Sequence, residues 1–203
     1  MRSRVGQLIV AITLIFISCK NDDESSETID NATIVELIQD EIIQNPSGYA
    51  PLSAIIYIQA KEIIRADIRV LGKNGEDSDI IQSFPESGRA LEIPIHGLFA
   101  DFENTVELTF FNADGTDLGS KMYEIKTDPL ISAMPNITID KAERNQMAKG
   151  MTLVGYYGHD QSVHPFRPFI FDAYGDIRWY LNFIDNPQLK NLHYDNGPHR
   201  LAN

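Results

Sequence analysis

The sequence predicts an all-β chain: a small Ig-like β-sandwich followed by the first strands of an incomplete β-propeller. Three observations carry this reading. Between Asn45 and Thr127, short segments alternate apolar and polar residues, with turn residues between them at roughly 8–12-residue spacing. No segment in that span has a helical period. The third observation is P-F-I-F-D-A-Y-G-D-I-R-W-Y-L, Pro168 to Leu181, two short strands around a tight turn. Phe169 and Phe171 share one face before the turn, and Ile177, Trp179, Leu181 and Phe183 share one face after it. Tyr174-Gly175 supplies the left-handed position that a short hairpin needs. An aromatic hairpin of this kind is typical of one propeller blade. A propeller requires several blades of roughly 40–45 residues, and only about twenty residues follow this hairpin.

In chain order, Arg2 and Arg4 precede an apolar run from Val5 to Ile17. That run is shorter than the ~20 residues of a membrane-spanning helix, and its layout is that of a secretory signal. The lone cysteine, Cys19, follows Phe16-Ile17-Ser18 and resembles the lipidated cysteine of a bacterial lipobox, although Phe16 stands where leucine is usual. Cys19 is therefore the expected lipid-attachment residue. With no second cysteine, no intrachain disulfide is available. Residues 1–19 are expected to be a lipoprotein signal, and residues 20–33 a disordered acidic tether that cannot bury apolar surface. Without Arg2 and Arg4, 15 of the 17 basic residues face 29 acidic ones, a net charge of −14. Nucleic acid is excluded as a partner, because its phosphates need a cationic face.

Thr33 to Gln44 fits two descriptions. Ile34, Ile38 and Ile42 share a helical face, while the isoleucine content favours a strand. Asn45-Pro46-Ser47-Gly48 is turn chemistry. Ser53–Gln59 reads as a strand, and from Ile64 to Val70 the apolar residues face one way while Arg65, Asp67 and Arg69 face the other. Asn74-Gly75 signals a hairpin. Leu91, Ile93 and Ile95 alternate again, and Pro94 on the opposite face assigns that strand to a sheet edge. Val106, Leu108 and Phe110 share a face, and Ala113-Asp114-Gly115 turns the chain into a strand from Leu118 to Thr127. The sandwich is thus expected over residues 34–128. Residues 129–203 are a linker and the beginning of the propeller, with strands at Thr152–Tyr157 and in the hairpin, and Asn136–Lys141 as a further candidate.

The chemistry-bearing residues are few. His159, Asp160 and His164 have metal-ligand character on a loop, but two imidazoles and one carboxylate are a thin ligand set, and a solvated loop is the simpler reading. His96 ends a strand and is expected to pack or hydrogen-bond locally. His193 and His199 flank Asp195 in the last turn. Phe166 is simplest as core. No nucleophile elbow, phosphate loop or paired CxxC occurs. No catalytic, cofactor-binding or metal-binding residue is assigned, and no cofactor is indicated.

Three stretches together resemble the bacterial arylsulfate sulfotransferases: N-P-S-G-Y-A-P-L-S-A (Asn45–Ala54), I-P-I-H-G-L-F (Ile93–Phe99) with the strand Thr105–Phe111, and Pro168–Leu181. The resemblance implies an amino-terminal β-sandwich and a six-bladed propeller with its active site in the central channel. It further implies sulfuryl transfer from a phenolic sulfate donor to a phenolic acceptor through a transiently sulfated histidine. None of the five histidines matches the nucleophile's motif, so this chain by itself is expected to be inactive. A lipid anchor in the outer membrane through Cys19 is expected, and a homodimer is a compatible assembly. The alternative is a non-catalytic cell-envelope lipoprotein with an Ig-like binding domain.

Overall fold

The computed structural model describes residues 35–146, 150–156 and 167–190. These form nine strands in two antiparallel sheets. The first sheet holds six: β1 (Leu37–Gln44), β2 (Ser53–Val70), β3 (Ile80–Ser83), β4 (Gly88–His96), β5 (Glu103–Asn112) and β6 (Asp117–Lys126). The second is a meander of β7 (Thr152–Tyr156), β8 (Arg167–Phe171) and β9 (Ile177–Tyr180). Among the described residues, helix is confined to two short 3-10 turns, Glu76–Ser78 and Arg144–Gln146. No described helix is long and apolar enough to cross a membrane.

The expected strands at Ser53–Gln59 and Ile64–Val70 prove to be one 18-residue strand, β2. Its even-numbered residues from Ala54 to Ala60, and again from Ile64 to Val70, are all buried, so the face that meets the core never changes. Its partners do change. The first half lies between β1 and β4, with Ile56 opposite Ile42 and Ile93, whereas the second half lies between β3 and β5, with Ile68 opposite Gln82 and Leu108. The exchange occurs at Lys61-Glu62-Ile63, all exposed, where the β4 ladder is interrupted. One sheet thereby curls over a single core. Val35 donates its N–H to the Leu118 carbonyl, tying the start of the first strand to the last.

The open choice over Thr33–Gln44 resolves as strand from Leu37 onward, because that segment pairs along the first half of β2. Pro94 lies in β4, whose ladder is with β2 alone, as an edge assignment requires. The Asn74-Gly75 hairpin forms with a longer loop: Gly75 takes φ 83, and the 3-10 turn intervenes before β3. Leu118 and Tyr123 are both buried although they are five positions apart, an offset that regular alternation puts on opposite faces. A bulge explains this, since Thr109–Phe111 on β5 opposes Ser120–Asp117 on β6, one residue longer. Gly119 within it has φ 94, a conformation that side chains resist. Gly119→Ala is expected to destabilise the domain by about 1–2 kcal/mol, read as a lower denaturation midpoint at unchanged m-value.

Two expectations need correction. Asn136–Lys141 is not a strand: the linker is irregular there, with Ile137 packed against the core and Ile139 partly exposed. Alternation alone does not make a strand where no neighbouring ladder accepts the backbone groups. In β9, the expected face of Ile177, Trp179 and Leu181 is broken. Ile177, Arg178 and Tyr180 are buried, while Trp179 is half-buried. Ile170–Phe171 opposes Trp179–Ile177, so Arg178 is an inserted residue that shifts the alternation by one place.

Candidate functional site at the junction of the two sheets

The chain leaves β4 through Gly97-Leu98-Phe99 and turns back into β5 around Asp101, whose φ is 48. Asn104 holds this loop together. Its side chain is fully buried, and its Oδ1 accepts the Phe99 N–H at 2.7 Å. Its Nδ2 is directed at the carbonyls of Phe99, Phe102 and Ile125, at 3.1–3.2 Å. The Thr127 hydroxyl donates to the Phe99 carbonyl as well. One amide thus satisfies backbone groups from a loop and from β6 that would otherwise be buried unpaired. The outcome is a fixed position for Phe99.

Arg178 rests on that ring. Its guanidinium lies 3.4 Å from the Phe99 centroid, and no part of its side chain reaches solvent. Nε donates to the Gly97 carbonyl, and Nη1 donates to Asp172 Oδ2, both at 2.8 Å. The other Asp172 oxygen accepts the N–H groups of Tyr174 and Asp176, closing the hairpin turn in which Gly175 takes φ 88. Burial lowers the Arg178 pKa, opposed chiefly by Asp172, with Asp176 and Asp79 adding attraction. Lys73 joins the cluster, its ammonium 4.5 Å from the Phe99 ring and 3.6 Å from Asp176.

A second contact lies at the β1–β2 turn. The Tyr49 ring packs on Phe183 with centroids 5.2 Å apart, its carbonyl accepts the Asn182 N–H, and its hydroxyl accepts from Asn186 Nδ2. Arg167 Nη1 donates to Asn182 Oδ1 at 3.0 Å. Phe169, Ile177 and Tyr180 complete the junction by joining the same apolar core as the first sheet. Burial raises the Tyr180 hydroxyl's pKa.

A cleft of about 350 Å³ opens beside the junction, lined by the linker, the loop after β4 and the hairpin turn. The charged groups in its lining are Asp101 and Asp176. Two carboxylates repel an anionic aryl sulfate, so this hollow is unsuited to a sulfate donor.

Cys19, His159, Asp160, His164, Phe166, His193, Asp195 and His199 lie outside the described residues. His96 is on the outer, exposed face at the end of β4, opposite Ser53, where partial desolvation lowers its pKa. Among the described residues, no three His, Cys, Asp or Glu side chains are grouped to hold a metal ion. Sequence reasoning missed Asn104 and Arg178. The only trace of Arg178's burial is the three-residue spacing of Ile177 and Tyr180, which no regular strand places on one face.

Residues 41–128 match the family model of the arylsulfotransferase Ig-like domain. This segment belongs to that family. A search of curated proteins returns no match. The arylsulfotransferase Ig-like domain covers the curled sheet from within β1 to the residue after Thr127. Two of the stretches that carry the sequence resemblance, Asn45–Ala54 and Ile93–Phe99, lie inside it; the first touches the segment that follows β9, through Tyr49, and the second touches β9 itself, through Gly97 and Phe99. The third, Pro168–Leu181, lies beyond the domain and supplies Arg178 and Asp172. All three meet at the junction.

Proposed function

We propose that this chain is the amino-terminal portion of an exported arylsulfate sulfotransferase-like protein, in which the Ig-like domain is the platform on which a catalytic propeller is founded. On this reading β7–β9 belong to the first blade, and Cys19 anchors the protein by lipid to the outer membrane. A phenolic sulfate is the donor and a second phenol the acceptor. The observation that carries the reading is the family match over residues 41–128, next to a second antiparallel sheet bound to that same domain.

The reaction proceeds in two displacements. A histidine nitrogen attacks sulfur, an N–S bond forms, and the donor's S–O bond breaks to release phenolate. The acceptor oxygen then attacks the same sulfur, the N–S bond breaks, and the acceptor's proton balances the released phenolate. Hydrogen-bond donors aimed at the sulfuryl oxygens stabilise both transition states. The histidine is assigned to residues beyond this chain.

The test is to express the product of the complete gene and incubate it with 4-nitrophenyl sulfate and phenol. Nitrophenolate release that depends on phenol, with phenyl sulfate formed in equal amount, is expected, and the 203-residue chain should produce neither. A complete product that transfers nothing would favour the non-catalytic envelope lipoprotein with an Ig-like binding domain.

A further inference from the structure

Apolar contact between Ile177, Tyr180, Phe169 and the first sheet's core is attractive but carries little direction. A small sheet held only in this way has neighbouring poses, slid or rotated, that bury similar area. Arg178 is different. Its guanidinium is engaged at once by a carbonyl of the first sheet's loop, a carboxylate of its own hairpin and an aromatic face, each with its own direction. A rigid planar fork meets all three in one pose. The arrangement is also costly, since both charges are removed from water and Arg178 Nη2 is buried with no acceptor among the described residues. A pair this expensive is a poor source of net stability.

We propose that the Arg178–Asp172 pair, seated on Gly97 and Phe99, is an orientation lock that selects one docking pose of the second sheet on the Ig-like domain. It rejects alternative poses because each would take the buried guanidinium from the Gly97 carbonyl and the Phe99 ring while leaving its N–H groups away from water. Asn104 is part of the device at one remove, because it fixes the loop that presents the Gly97 carbonyl and the Phe99 ring.

The test measures pose and stability separately in the 203-residue chain. With Cys19→Ser as background, spin labels at Glu92→Cys on β4 and Asp185→Cys after β9, both exposed positions, report the distance between the two sheets. The Arg178→Met, Asp172→Asn double variant removes both charges, while the new amide at position 172 still offers an oxygen to the turn. It should melt close to the parent and give a distance distribution at least twice as broad, with amide exchange at residues 97–99 and 177–180 accelerated more than tenfold. Arg178→Lys keeps the charge but loses the fork and the stacking. It should broaden the distribution as well, and it supplies the answer if the double variant does not fold. A distribution as narrow as the parent's in a folded variant would overturn the lock, whatever its melting temperature. So would a double variant that loses as much stability as Arg178→Met alone.

Discussion

Replacing Asn104 with alanine is expected to destabilise the chain by about 2–4 kcal/mol, a large share of the roughly 5–15 kcal/mol that holds a domain folded. The Phe99 N–H would lose its acceptor while remaining buried, and the carbonyls of Phe99 and Ile125 would each lose a donor. The midpoint of thermal unfolding should fall by roughly 6–12 °C. Asn104→Asp should cost at least as much, because a carboxylate would turn lone pairs, and below neutrality a reluctant proton, toward carbonyl oxygens in a dry site. Urea titrations of both variants at one pH check the order. A shift below about 1 kcal/mol for the alanine variant would mean that water or loop movement replaces the amide, and that Phe99 is held by other means.

Two adjacent phenylalanines offer a second large effect with its own control. Phe110 is fully buried in β5, opposite Ala66, whereas Phe111 faces outward with the Arg65 guanidinium 4.2 Å from its ring centre. Phe110→Ala should cost about 3–5 kcal/mol, through lost burial plus the cavity left between strands. Phe111→Ala should cost roughly 1 kcal/mol or less, since it loses a partly exposed ring and one cation–π contact. A larger loss at Phe111 than at Phe110 would show that the register of β5 is displaced by one residue, because such a slip exchanges the two faces.

The alternation of Val106, Leu108 and Phe110 made the face of β5 legible in the sequence, as did that of Leu91, Ile93 and Ile95 in β4. Burial sorts side chains by a period that the backbone imposes locally. The same reasoning failed at β9, where Trp179 was expected inward and Arg178 outward. An inserted residue resets the alternation, and whether a strand carries one depends on its partner's length and register. It also divided β2 in two at Lys61-Glu62-Ile63, because an exposed run looks like a turn when it is a bend at which one strand changes partners. Asn104 offered no pattern at all. An asparagine beside a strand is ordinary in sequence, and its importance comes from backbone groups separated from it by as many as 21 residues.

By itself the sequence determined that this is an all-β chain with a sandwich-forming stretch between Asn45 and Thr127 and a separate aromatic hairpin after it. Those features follow from local periodicity and turn chemistry, which each segment carries within itself. Only the tertiary structure decided that one sheet curls through a shared strand, and that Tyr49, Phe99, Asp172 and Arg178 meet at one junction. Such meetings depend on which distant groups can satisfy a buried charge or a buried N–H. That choice is made by the packed molecule as a whole and leaves no period along the chain.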